Sequence, residues 1–159
     1  MIRVGLGYDA HPLVTGRPLV LGGVHLEFSR GLVGHSDSDV LAHAITDALL
    51  GAAGLGDIGQ HFPPSDPQYK DADSMGFLAV AVELLRVNQW RISNIDATII
   101  AQEPRLAPYL PKMREALSRA LEIQSSLVSI KGKSTNGLGF EGRVEGIAAH
   151  AVVLIESIP

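Results

Sequence analysis

His35-Ser36-Asp37-Ser38-Asp39-Val40-Leu41-Ala42-His43-Ala44-Ile45-Thr46-Asp47-Ala48-Leu49-Leu50 is a polar turn that runs straight into a helix. Val40, Leu41, Ala44, Ile45, Ala48, Leu49 and Ala52 recur at three- and four-residue spacing, the stripe of a helix turned toward a core. The opposite stripe carries Asp39, His43 and Asp47, each four residues from the next and so stacked on one face. An imidazole between two carboxylates suits a metal ligand whose second ring nitrogen is held by an acidic partner. The free N–H groups and positive dipole end of such a helix also suit a phosphate. A plainer reading makes Ser36 to Asp39 capping residues and His43 a solvated surface histidine. At this point both stand.

On the N-terminal side, Ile2, Val4 and Leu6 alternate with smaller or polar residues and predict a strand ending in a loop at Gly7-Tyr8-Asp9-Ala10-His11-Pro12. Asp9 and His11, two apart in extended chain, point to the same side. Gly5 and Gly7 do not make a dinucleotide fingerprint, because no third glycine and no helix follow at the right place. Gly22-Gly23, flanked by Pro18 to Leu21 and Val24 to Phe28, predicts a hairpin.

On the C-terminal side, Gly54 to Pro67 reads as a long loop. A helix follows from Ser74, as its cap, to about Asn88, with Leu78, Val82, Leu85 and Val87 as buried positions. Ile92 to Ile100 reads as a strand that empties into Ala101 to Pro108. A helix from near Pro111 carries Met113, Leu117 and Leu121. Val128 and Ile130 mark another strand, and Gly146 to Ile158 a last one, apolar enough for burial on both faces. The pattern is α+β in one domain spanning 1–159: a mixed four-stranded sheet with helices on one face and an extra β-hairpin.

The chain has 159 residues, 46% hydrophobic and 19% charged, which leaves apolar surface for sister subunits to cover. A net charge of −4 speaks against nucleic acid and anionic membranes as partners. With no cysteine, a metal must be held by His, Asp and Glu. No signal-peptide pattern and no membrane-length apolar run is seen, so the expected location is cytoplasmic. Asp9, His11 and His43 would supply three ligands with a fourth position open, the catalytic rather than the structural zinc pattern.

Four motifs in order, Asp9-x-His11, His35-Ser36-Asp37-x-Asp39 with His43-Ala44, Leu55-Gly56-Asp57-Ile58-Gly59, and Gly139-Phe140-x-Gly142-Arg143-x-Glu145-Gly146, together resemble the 2-C-methyl-D-erythritol 2,4-cyclodiphosphate synthases of the non-mevalonate isoprenoid pathway. The resemblance implies a homotrimer like Bacillus chorismate mutase, with active sites between subunits. It implies that 4-diphosphocytidyl-2-C-methyl-D-erythritol 2-phosphate closes on itself, its 2-phosphate attacking the β-phosphorus and expelling CMP. It implies Zn2+ on Asp9, His11 and His43, and Mg2+ or Mn2+ with the substrate diphosphate. By the same resemblance, His35, Ser36, Lys133, Ser134, Thr135 and Asn136 contact phosphate, with His35 and Ser134 as catalytic groups. Asp57, Ile58, Gly59, Phe62 and Asp66 hold or cover the methylerythritol, and Ala101, Gln102, Glu103, Pro104, Arg105, Leu106 and Ala107 form the cytidine pocket. Phe140, Arg143 and Glu145 line either an isoprenoid diphosphate cavity on the trimer axis or a buried Arg–Glu pair that fixes subunit packing. His25, His61 and His150 have no assigned role.

The chain departs from that family where Ser38 stands for a usual glycine, and where Asn136 stands for a glutamate that helps hold the second cation. Lys133 is often threonine there. Asn136 keeps open the reading of a trimeric binding or regulatory protein without turnover, and a zinc phosphohydrolase acting on a simpler phosphate ester is a second enzymatic alternative.

Overall fold

A computed structural model describes residues 1–159. Seven strands and five helices follow in the order β1 (Ile2–Thr15), β2 (Leu19–Leu21), β3 (Val24–Leu26), β4 (Arg30–Leu32), α1 (Val40–Ala53), α2 (Ile58–His61), α3 (Ser74–Val87), β5 (Trp90–Ile100), α4 (Leu110–Leu121), β6 (Val128–Lys133), α5 (Gly139–Gly142) and β7 (Gly146–Ser157). The main sheet has five strands, not four, in the order β4-β1-β7-β5-β6. The unexpected member is β4, which pairs antiparallel with the far end of β1 through Leu13 and Leu32, Val14 and Gly31, and Thr15 and Arg30. Only β5 and β6 run parallel, so the sheet is mixed and the class is α+β. The hairpin β2-β3 stands apart around Gly22 and Gly23, both at positive φ.

The strand β1 does not end at Gly7. It continues through Asp9 and His11, which pair with Ala149 and Ile147 of β7, so both side chains are fixed by sheet register rather than by a loop. Its alternation also has an unexpected sense. The large residues Ile2, Val4, Leu6 and Tyr8 are the exposed ones, and Gly5 and Gly7 face α1. A Cβ on Gly5 would stand 1.9 Å from the carbonyl oxygen of Ala48, and one on Gly7 1.8 Å from that of Ala44. The two glycines therefore let α1 lie flush on β1, in a contact that no larger residue permits.

Pressed between β1, β7 and α3, α1 is buried almost all round, and its core includes Leu41, Ile45, Leu49 and Leu50. It is not the half-solvated amphipathic helix that its polar stripe predicts. In α3, Leu78 and Leu85 are buried and Val82 half-buried, but Val87 is 67% exposed at the fraying end. Asp73 rather than Ser74 caps that helix, accepting from the Met75 N–H. β7 alternates after all: Ala149, Ala151, Val153 and Ile155 are buried and His150 and Val152 exposed. No helix is long and apolar enough to cross a membrane.

Candidate active site

Period-two alternation puts Asp9 and His11 on the same face of β1 as Gly5 and Gly7, the face that α1 covers. Close packing of α1 then brings His43, on its first turn, against them. Asp9 Oδ2 lies 3.0 Å from His11 Nε2 and 3.0 Å from His43 Nδ1. The three ligating atoms all lie within 4.8 Å of one another. Burial works against ionisation of Asp9, but its hydrogen bonds with the two imidazoles outweigh that and hold its carboxyl down at about 2. Burial likewise opposes charge on His11, and the Asp9 carboxylate more than offsets it, so the imidazole is raised above its ordinary value.

The remote ring nitrogens are tied as well. His11 Nδ1 donates to the Val33 carbonyl at 3.0 Å, leaving Nε2 to face Asp9. His43 Nε2 lies 2.7 Å from Ser74 Oγ and 3.1 Å from Ser36 Oγ. One carboxylate oxygen and two imidazole nitrogens, aimed at one point with their far sides anchored, are a donor set fit for zinc.

His43 is buried, so it is not a solvated surface histidine. The carboxylates next to it on the helix are not its partners either. Asp39 is fully buried and accepts from Gly22, Gly23 and Ala42 N–H at 2.9, 2.8 and 3.0 Å, which fastens the hairpin to the start of α1. Its carboxylate takes the place that a phosphate would need at that helix end. Asp47 accepts from Ile58 N–H at 2.9 Å and fixes α2. The polar stripe is real, but each member looks toward a different element.

Asp9, His11, His35, Ser36 and His43 line a cavity of about 230 Å3 with Ile58, Gly59, Phe62, Pro64, Tyr69 and Phe77. A second cavity, of about 400 Å3, is lined by Ala101, Gln102, Glu103, Pro104, Arg105, Leu106 and Ala107, together with Leu110, Gly132, Lys133 and Ser134. The two share no residue. A family model, the YgbB family, matches residues 2–156.

The chain belongs to the YgbB family. Among its relatives, a 2-C-methyl-D-erythritol 2,4-cyclodiphosphate synthase of Syntrophomonas wolfei is 59% identical over 98% of this chain and 99% of that protein. The fold matches the bifunctional IspDF from Campylobacter jejuni at a TM-score of 0.96 and 40% identity, over 99% of this chain and 43% of that one. It matches IspF of Plasmodium falciparum, solved as a CDP complex, at 0.88 and 34% identity, over 99% and 97% of the two chains.

In this YgbB chain the remaining expected residues divide sharply. His35 Nε2 donates to the Asp66 carbonyl at 3.0 Å, and Asp71 N–H to the His35 carbonyl at 2.8 Å, so the 35–37 turn is zipped to the segment before α3. Asp57 caps α2 by accepting from Gln60 N–H at 2.9 Å. Asp66 caps the short 3-10 turn Pro67–Tyr69, and its carboxylate is not in the lining of the first cavity. Phe62 stacks on Phe77 with ring centroids 4.3 Å apart. By contrast Lys133, Ser134 and Asn136 are exposed and Thr135 half-buried. Glu145 pairs with Arg143 at 2.9 Å, and both are more than half exposed in the single chain. Phe140 and Glu145 line a separate cavity of about 300 Å3 beside His11.

Sequence reasoning missed Ser74, Tyr69 and Phe77 as parts of the site, and Arg17, whose guanidinium donates to the carbonyls of Leu32 and Ser36 at 2.9 and 3.0 Å. Ser74 carries a visible signal, a serine after an aspartate at a helix start, but the signal reads equally as a cap. His25 and His150 are exposed, and His61 donates to the Leu55 carbonyl at 2.7 Å.

Proposed function

We propose that this chain converts 4-diphosphocytidyl-2-C-methyl-D-erythritol 2-phosphate to 2-C-methyl-D-erythritol 2,4-cyclodiphosphate and CMP, in the non-mevalonate isoprenoid pathway. The observation that carries the reading is the Asp9, His11 and His43 triad, its ligating atoms within 4.8 Å of one another, set in a cavity of its own. The names of its relatives support the same reaction. A 2-phosphate oxygen attacks the β-phosphorus, the bond from that phosphorus to the bridging oxygen breaks, and CMP leaves with the electron pair. The catalytic task is to bend a polyanion and neutralise charge along one line.

Zn2+ is the metal that fits the triad, and when bound it supplies Lewis-acid polarisation of a phosphate oxygen. His35 and Ser36 hold the attacking end, and Lys133, Ser134, Thr135 and Asn136 take the diphosphate, which brings Mg2+ or Mn2+ with it. His35 and Ser134 stabilise charge in the transition state. Asp57, Ile58 and Gly59 take the methylerythritol hydroxyls under Phe62 and Asp66. Residues 101–107 take cytidine, in keeping with the second cavity.

We assign one domain to residues 1–159, a cytoplasmic location, and a homotrimer of the Bacillus chorismate mutase type. The trimer is supported by the sheet face left bare on β1 and β7, where Ile2, Val4, Leu6, Tyr8 and Val152 are 65, 66, 70, 50 and 44% exposed. Active sites between subunits would join the first cavity of one chain to the second of its neighbour. Phe140, Arg143 and Glu145 would meet an isoprenoid diphosphate near the trimer axis.

The test is phosphorus NMR of the cytidyl substrate with protein, Zn2+ and Mg2+, against a chelator-treated control. CMP and a cyclic diphosphate formed only with metal is the expected result. A linear phosphate product would make the protein a hydrolase, and unchanged substrate would make it a binding protein.

A further inference from the structure

The geometry points to Ser74 as the positioning residue that fixes the tautomer of His43, with Asp37 behind it directing the serine proton; this rests on the metal reading of the triad. Ser74 is fully buried, at the first position of α3. Its hydroxyl donates to Asp37 Oδ1, and its backbone N–H donates to Asp37 Oδ2 at 3.0 Å. Asp37 is held in turn, its Oδ1 accepting from Asp39 N–H at 3.1 Å and its own N–H donating to the Ala72 carbonyl at 3.0 Å.

Proton counting then leaves one solution. A serine hydroxyl has one proton, and an ionised carboxylate only accepts. With that proton pointed at Asp37 Oδ1, Ser74 Oγ has only lone pairs to offer His43 Nε2, 2.7 Å away. His43 Nε2 must therefore carry the hydrogen and donate it. The hydrogen that a metal must displace is then the one between Nδ1 and Asp9, so that it is the Nδ1 lone pair, beside Asp9, that would be presented to a metal. Ser36 cannot do this work. Its Oγ sits 3.1 Å from the same nitrogen, and although it accepts from Ser38 N–H at 3.2 Å, nothing consumes its proton. Ser36 is content with either tautomer, and Ser74 is not.

The consequence is specific. Without Ser74, Ser36 can turn its proton onto Nε2, and the hydrogen can move to Nδ1, where it blocks the lone pair meant for metal. Groups of this kind are worth about 10- to 100-fold in metal affinity. Zinc affinity, measured by competition with a chromophoric chelator, should fall by about that factor in Ser74→Ala. Ser74→Thr, which keeps the hydroxyl, should restore most of it.

Nitrogen-15 NMR of zinc-loaded wild type tests the tautomer without any variant. A proton on His43 Nε2 with zinc on Nδ1 is the expected spectrum, and the reverse assignment overturns the inference. Equal zinc affinity in wild type and Ser74→Ala overturns it as well. Wild type that takes up no zinc in the same competition would sink the metal reading itself, and this inference with it.

Discussion

Around His43, ring nitrogens, hydroxyls and carboxylates find partners within the chain, and the backbone beneath them is held by the register of β1 on β7 and the flush seat of α1. Along Lys133 to Asn136 the side-chain census is thinner, and apart from Thr135 Oγ1 donating to the Leu138 carbonyl it holds little. Ser134 Oγ reaches only Asn136 Oδ1, at 3.5 Å, Lys133 is exposed, and Leu138 is 73% exposed. One region is held together by the chain itself and the other is left open. The contrast teaches that folding and catalysis are coupled in the first region and separable in the second. Substitutions near the triad should move stability and metal together, whereas substitutions at 133–136 should move only ligand-dependent quantities.

The sharpest break is His43→Ala. It removes a ligand and leaves Ser74, Ser36 and Asp9 facing a void, so metal content should fall to background. The rate should fall by about 10^2- to 10^3-fold, the scale of losing one well-placed electrostatic stabiliser. CMP binding, measured by calorimetry, should persist, because the 101–107 cavity shares no residue with the triad. Loss of CMP binding in this variant would show that the two regions are not separable.

Gly7→Ala tests the same coupling from the fold side. A methyl group 1.8 Å from the Ala44 carbonyl oxygen cannot be accommodated without lifting α1 from β1. Overpacking of this kind costs about 1–3 kcal/mol, read as a lower midpoint in urea unfolding. Because His43 rides on the same helix, zinc affinity should drop in parallel. Unchanged zinc affinity in a destabilised protein would separate the two effects and weaken the coupling.

These two positions also show what the sequence could and could not reveal. The alternation along β1 was legible, and so was the pairing of Asp9 with His11 on one face. Which face met the helix was not. Ile2, Val4 and Leu6 look like core residues by hydropathy, and only the glycines at 5 and 7 mark the packed side. Periodicity likewise identified α1, α3 and α4, because each carries an apolar stripe, but β4 was too short and polar at Arg30 to stand out. In the site, the triad was legible as residue types. Its second layer was not, since Ser74 is 31 residues from His43 and only packing of α3 on α1 brings them together. The polar stripe of Asp39, His43 and Asp47 misled for the opposite reason. Its spacing was right, but full burial of the helix gave each side chain a different neighbour.

Asp39 gives a smaller effect with a definite sign. Burial pushes its carboxyl up to about 6, against the pull of the three amide donors, and the nearby Asp37 charge adds to the rise. A carboxyl raised in the folded state holds its proton more tightly there than in the unfolded chain. Its contribution to stability is therefore full below the ordinary carboxylate range and is lost as pH rises through about 6. In Asp39→Asn that slope should vanish. The variant should also lose about 1 kcal/mol at neutral pH, because an asparagine has one acceptor oxygen for a set of amides that uses two. Urea unfolding of both proteins between pH 4 and 7 measures both quantities, and parallel curves would mean that Asp39 does not titrate in that window.

The smallest expected effect belongs to the open region and is the cleanest test of the contrast. Asn136 sits at φ 54, in the left-handed region that asparagine tolerates better than most residues. A local backbone reason thus accompanies an amide at a place where the resemblance leads one to expect glutamate. Asn136→Glu should cost at most about 1 kcal/mol in unfolding free energy, from the left-handed backbone alone, and leave zinc affinity untouched. It should lower the Mg2+ concentration needed for half-maximal rate, since a carboxylate is a stronger oxygen ligand for that ion than an amide. A stability change with no shift in Mg2+ requirement would make Asn136 a purely conformational choice. A shift in zinc affinity would instead join residues 133–136 to the triad, and the division between the two regions would fail.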